Sequence, residues 1–312
     1  MRNLTRAAGV VLISLAILAT ACVEHDGASG APSSPATSGS VSASTSPAPT
    51  TPPAAPCAGE HPRKADGGTY TCTFDDEFTG TTIDTTKWQA GTTARSGLSS
   101  PNHDCYVALP GNMSVSFGSL HLTAKHADHA FTCKSPRGDF TTEFTGASLT
   151  TRDRFSQAYG RVEFRARFPQ ATTPGVHSAL WMNPATNVYG AWPLSGEIDV
   201  AEWFSADAGY VYPTLHYGGA RLGVTHKCEV PTPGDWHQYA VEWTKTSMRF
   251  LYDGVECWKT GWKPVAPVKP PAPFDQPFNI VMNQVFGGGW NAVDELTPTS
   301  VTMDVDWVRA WK

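Results

Sequence analysis

Positive charge is scarce and scattered in this chain. Lys and Arg total 23 against 28 Asp and Glu, a formal net charge of −5, and they form no basic run. Such a surface gives a phosphate backbone nothing to bind, which excludes nucleic acid as a partner. An apolar stretch long enough to span a bilayer is also missing, because the run from Ala8 to Leu18 is too short. There is no CxxC pair and no Cys/His cluster with ligand spacing, which excludes a structural zinc site. Helical periodicity is nearly absent, and beyond residue 57 there is neither an internal repeat nor a break in composition. The body of the chain therefore reads as one domain built without helices.

What is present begins with an export signal. Arg2 and Arg6 precede the apolar run, and Ala19-Thr20-Ala21-Cys22 supplies small residues and then a cysteine. A basic start, a short apolar run and a small-residue cleavage site describe a secretory signal over residues 1–21. The cysteine after the small residues resembles a bacterial lipobox, so Cys22 is the expected site of lipidation. The protein is then extracellular, anchored to the outer face of the cell membrane by lipid alone, or secreted if the signal is of the ordinary cleaved kind. Residues 22–56 follow as a linker. From Gly27 to Pro56 every residue except Val41 is Gly, Ala, Ser, Thr or Pro, and none is charged. Such a stretch buries too little apolar surface to offset the entropy of ordering. It is a tether reaching roughly 30 Å as a coil and roughly 90 Å as polyproline II.

Apart from Cys22, six cysteines remain: Cys57, Cys72, Cys105, Cys133, Cys228 and Cys257. An even number in an exported domain argues for disulfides. Fifteen pairings are open; we expect the nearest-neighbour set, Cys57–Cys72, Cys105–Cys133 and Cys228–Cys257.

Residues 57–312 are dominated by short alternating runs such as Ser119–His126, His237–Trp243, Met248–Gly254 and Val301–Trp311. In Arg161–Phe168 the set Val162, Phe164, Ala166 and Phe168 lies opposite Arg161, Glu163, Arg165 and Arg167, the pattern of a half-buried antiparallel strand. Gly, Pro, Asn and Asp clusters separate the runs as turns require. Many short strands over some 250 residues predict an all-β fold, a jelly-roll sandwich of two antiparallel sheets.

One strand carries the chemistry. Gly196–Glu202, GEIDVAE, places acids at i, i+2 and i+5. Alternation puts Glu197 and Asp199 on one face, with Ile198 and Val200 facing the core, and would turn Glu202 away. A one-residue β-bulge at Ala201 restores Glu202 to the acid face. With the bulge absorbed, Glu197 and Glu202 stand four pleats apart, roughly 13 Å along the strand. Side chains leaning together leave about 5–6 Å between carboxylates, within the range of a retaining rather than an inverting glycosidase. Like charges so close cannot all ionise easily. The expected division is Glu197 ionised as nucleophile, Glu202 protonated as general acid and later base, and Asp199 orienting Glu197. Trp181, Trp192 and Trp203, near the acids along the chain, are flat apolar rings suited to sugar faces.

GEIDVAE resembles the E-x-D-x-x-E signature of glycoside hydrolase family 16 in its bulged, laminarinase-like form. The likeness continues in order through Phe74–Trp88, Tyr159–Pro169, His177–Pro184, Trp236–Gly254, Pro277–Trp290 and Asp304–Trp311. It implies a β-jelly roll with a long concave cleft and retaining endo-hydrolysis of a β-linked polysaccharide, without a required cofactor. By position it assigns Glu197 as nucleophile, Asp199 as assisting acid and Glu202 as acid/base. It makes His216 the cleft histidine near the acid/base, Trp181 and Trp192 sugar-stacking residues, and Asn102, Asn283 and Trp290 further cleft residues. It also offers Asp306 as a ligand of a structural calcium. Ala201-Glu202-Trp203 stands where many laminarinases have Met before the acid/base, and Asn102–Val107 differs from the usual loop. The segment Thr214–Val230 resembles an actinobacterial-type subgroup of β-1,3-glucanases. The expected partner is β-1,3-glucan or a related β-glycan, acted on by a monomer. A galactan-type hydrolase, a wall transglycosylase and a non-catalytic carbohydrate-binding protein stay open on sequence.

Overall fold

A computed structural model describes residues 55–312, with the side chains of Arg221 and Leu222 left aside. The export signal, Cys22 and nearly all of the linker lie outside the described residues. The described residues belong to one compact unit. Nearly all of its regular structure is antiparallel strand, as the alternating runs require. No helix among the described residues is long and apolar enough to cross a membrane.

Two sheets form the sandwich. The outer sheet runs from Val255–Thr260 through Met248–Tyr252, His237–Trp243 and Gly160–Arg167 to Ser300–Trp311. The last of these also pairs with Ser119–Cys133 and Cys72–Asp76. The inner sheet runs from Phe140–Thr150 through Phe278–Phe286, Val176–Pro184 and Glu197–Phe204 to Tyr210–Tyr217. Phe140–Thr150 belongs to both. Its first half pairs with Ser119–Cys133 and its second half with Phe278–Phe286, so hydrogen bonding is continuous from one sheet to the other. This is a β-jelly roll.

The core lies between the sheets. Leu180, Met182, Ile198, Val200, Ile280 and Met282 of the inner sheet meet Val162, Phe164, Ala166, Tyr239, Val241, Phe250 and Val305 of the outer one. Val162, Phe164 and Ala166 face inward as alternation demands. The opposite face of that strand is less open than its charges suggest. Arg161 and Glu163 are buried, paired with each other at 2.9 Å, and Arg161 also reaches Glu242 at 2.9 Å. Arg249 closes the network on Glu242 at 2.7 Å. Buried charges persist only when paired in this way.

All three disulfides join nearest neighbours: Cys57–Cys72, Cys105–Cys133 and Cys228–Cys257. The third ties the two-residue strand Cys228–Glu229, which pairs with Tyr210 and Val211, to Val255–Thr260 of the other sheet. It braces the edge of the inner sheet beside the acid strand.

Candidate active site

The strand Glu197–Phe204 enters from Gly196, whose φ of +86° is a left-handed conformation that favours glycine. A Cβ at Gly196 would also lie 2.9 Å from the Phe274 ring. The strand then departs from regular pairing where the sequence requires it. On the Tyr210–Tyr217 side the partners are His216 for Glu197, Thr214 for Asp199 and Tyr212 for Glu202. Between Asp199 and Glu202 two residues of the acid strand, Val200 and Ala201, thus oppose one on its neighbour, Pro213. On the other side Trp181 pairs with Asp199 and Leu180 with Ala201, leaving Val200 as the extra residue. Val200 and Ala201 are both fully buried, the mark of two consecutive residues turned to one face by a bulge. Pro213, which has no N–H to give the ladder, stands opposite. The hydroxyl of Tyr252 donates to the Val200 carbonyl at 2.9 Å, satisfying an acceptor at the distorted ladder.

The parity follows directly. Tyr212, Thr214 and His216 alternate along an unbulged stretch, so they share a face, and so do the three acids opposite them. Glu197 and Glu202 are separated by four residues of the partner strand, roughly 13 Å.

The same alternation corrects one expectation. With Glu202 on the acid face, Trp203 must turn inward. It is 1% exposed, stacks on Phe168 at 5.9 Å and donates its indole N–H to the Ala208 carbonyl at 3.0 Å. Trp203 is a core residue and not a sugar platform.

Each terminal acid has its own histidine. His216 Nε2 lies 3.7 Å from Glu197 Oε1 and 3.3 Å from Asp199 Oδ2. Its ring rests beside Gly223, at φ +87°, where a Cβ would come within 2.9 Å of the imidazole. The Trp192 ring tilts over His216 at 5.5 Å, and Trp192 donates a hydrogen bond to Glu197. At the other end His177 Nε2 lies 3.1 Å from Glu202 Oε1. His177 stacks flat on Phe204 at 4.4 Å and 8°, and Trp290 leans on Phe204 at 5.1 Å. His216 therefore sits at the Glu197 end, opposite that residue in register, and not beside Glu202 as the resemblance implied. The sequence did not single out His177, Phe204 or Tyr212. The available signal was parity, since His177 shares its strand face with Trp181, and Phe204 with Glu202.

The remaining expected residues divide by what they touch. Trp192 and Trp290 are 51% and 63% exposed and present open ring surface. Trp181 lies opposite Asp199 and donates its indole N–H to Asn283 Oδ1. Asn283 is 6% exposed and holds Trp181 in place. Asn102 is half-buried and donates to Asp104 Oδ1 at 3.0 Å. Asp306 does not fit a calcium ion. Its carboxylate is paired with the Arg165 guanidinium, whereas calcium gathers six to eight oxygens. Among the described residues, Glu197, Asp199 and His216 form the one group of three His, Cys, Asp or Glu ligand atoms close enough for a shared ion, within 4.8 Å of one another.

Burial raises the pKa of Glu197 well above the ordinary carboxylate range, helped by the Asp199 charge and opposed by His216 and the Trp192 hydrogen bond. Asp199 is raised well above its range by burial first and the Glu202 charge second. For both acids burial is the larger cause and mutual repulsion the smaller, and burial is invisible in acid spacing.

Three carboxylates on one face of a jelly roll, two of them flanked by histidines and exposed indoles, define a glycoside hydrolase. The chain belongs to the glycosyl hydrolases family 16, whose model matches residues 104–309. It is 34% identical over 259 residues to glucan endo-1,3-beta-glucosidase A1 of Niallia circulans, across 77% of this chain and only 37% of that protein's length. It is 35% identical over 218 residues to the beta-glucanase of Rhodothermus marinus, covering 64% and 70% of the two chains. The X-ray structure of the laminarinase from Rhodothermus marinus superposes with a TM-score of 0.67 at 29% identity, over 78% of this chain and 97% of the other.

Proposed function

We propose that the protein hydrolyses internal linkages of β-1,3-glucan with retention of configuration. The observation that carries this reading is the register. Glu197, Asp199 and Glu202 oppose His216, Thr214 and Tyr212, so one bulge gathers three acids on one face. The names of the relatives supply the linkage. The Niallia and Rhodothermus relatives are named for glucan cleavage, the first of them for endo-1,3 action, and the superposed structure is a laminarinase.

Glu197 attacks the anomeric carbon as the C1–O bond to the leaving sugar breaks, and Glu202 gives its proton to that oxygen. A glycosyl ester on Glu197 results. Glu202, now a carboxylate, takes a proton from water as the water oxygen bonds C1, and Glu197 leaves with the electron pair. Asp199 keeps a proton through this cycle. With Asp199 neutral, the largest like charge beside Glu197 is gone, while His216 and Trp192 favour its ionised form. Exposed Trp192 and Trp290, at opposite ends of the trio, offer stacking surfaces for sugars on either side of the cleaved bond.

We further propose that the protein works outside the cell, held at the outer membrane face by lipid on Cys22 through the 22–56 tether. The three disulfides support an oxidising compartment.

A panel of soluble β-glycans with product sizing tests the function. Laminarin should fall to short oligosaccharides, with long intermediates appearing first and agarose, carrageenan and galactan left intact. Products longer than the starting chains would instead identify a transglycosylase, and binding without cleavage a lectin.

A further inference from the structure

We infer that His177 is a positioning residue that shares one proton with Glu202 and thereby keeps the general acid supplied. The inference rests on the hydrolase reading above and adds to it a residue outside the acid strand.

The contact is built rather than incidental. His177 Nε2 and Glu202 Oε1 are 3.1 Å apart, with both side chains largely withdrawn from solvent. The imidazole cannot swing away, because Phe204 covers it face to face and Trp290 covers Phe204. Its backbone is pinned as well: Gln284 Nε2 donates to the His177 carbonyl at 3.2 Å, and Ser178 Oγ donates back to Gln284 Oε1 at 2.5 Å.

A second acid addresses the same ring. Asp104 is fully buried, accepts the Phe286 backbone N–H and an Asn102 amide hydrogen, and is electrostatically coupled to His177. Burial lifts its carboxyl to about 6. Other titratable groups on the neighbouring elements are Glu197, Asp199 and His216 further along, Tyr212 opposite Glu202, Tyr252 beneath the bulge, Tyr106 beside Asp104, and Asp207, which accepts from the Tyr212 hydroxyl and pairs with Lys227. The adjoining strand Phe278–Phe286 brings only neutral side chains.

The consequence concerns supply. A lone carboxylate loses its donor proton once the pH passes its own ionisation. An imidazole N–H in contact with that carboxylate offers it a second route to a proton. Glu202 hands that proton to the leaving oxygen during glycosylation and recovers one from water during deglycosylation. Between turnovers His177 Nε2 holds the pair's proton within 3.1 Å of the oxygen that needs it.

The test compares His177→Gln with wild type on laminarin and on an aryl β-glycoside whose acidic phenol leaves without protonation. With laminarin, turnover near neutral pH should fall by about 10²-fold and the basic limb of the pH profile should move to lower pH. With the aryl glycoside the loss should stay within about 3-fold, because glycosylation no longer needs the acid. Equal losses on both substrates with an unmoved pH profile would overturn the inference and leave His177 a packing residue. Should His177→Gln not fold, the imidazole ¹⁵N spectrum of the otherwise unaltered chain decides. The His177 Nε2 signal should shift on Glu202→Gln, and an indifferent signal would overturn the inference. Wild type inactive on every β-glycan would defeat the hydrolase reading instead, a result the ¹⁵N measurement does not depend on.

Discussion

Glu197→Gln should reduce laminarin hydrolysis by about 10⁴-fold or more while the protein stays folded. The amide is the same size and still accepts the Trp192 hydrogen bond, but it is too weak a nucleophile to form the glycosyl ester. Folding should not suffer, because the carboxyl it replaces is buried beside another acid and resists ionisation. The measurement is turnover alongside a thermal melt. Binding of laminarin should persist, since the indole platforms are untouched. Near-normal turnover would remove Glu197 from the chemistry.

Glu202→Ala should cost about 10²- to 10⁴-fold on laminarin, the usual worth of a positioned acid and base. Its signature is more specific than its size. With an activated aryl β-glycoside, glycosylation proceeds without the acid and the glycosyl ester on Glu197 builds up, because no base remains to activate water. Azide needs no base. Its nitrogen bonds C1 as the ester oxygen departs, giving a glycosyl azide of the same anomeric configuration as the substrate. Rescue of turnover and isolation of the β-azide are the expected results. An α-azide would mean that azide had displaced the phenol directly, with no covalent step through Glu197. Loss of Glu202 also removes the partner of His177, so the variant should lose the pH dependence that the pair supplies.

Much of this was legible before any coordinates. The alternating run Arg161–Phe168 announced a strand, and its Val162, Phe164 and Ala166 do line the core. The bulge was legible because three acids at i, i+2 and i+5 leave no other way to share a face. Pro213 is a further signal, a residue without an N–H in a central strand opposite the bulge. Trp203 turns inward for the same reason, since a bulge that returns Glu202 to the acid face forces the next residue into the core. The histidines show where local reading stops. His216 and His177 reach the site from the two strands flanking the acids, and which acid each one meets depends on register across strands. Sequence order along a single strand does not contain that information. The raised pKa values of Glu197 and Asp199 were illegible for a similar reason, because burial raises both more than the spacing of the acids does. Asp306 adds a last instance, with its carboxylate claimed by Arg165 from the neighbouring strand.

The central claim is that the bulge makes Glu197 and Glu202 a retaining pair. The direct measurement is ¹H NMR of the anomeric protons during the first minutes of laminarin hydrolysis. The β-anomer of each new reducing end should appear first, followed by slow mutarotation to α. The α-anomer appearing first would mean that water, not Glu197, attacks C1, and would contradict the mechanism.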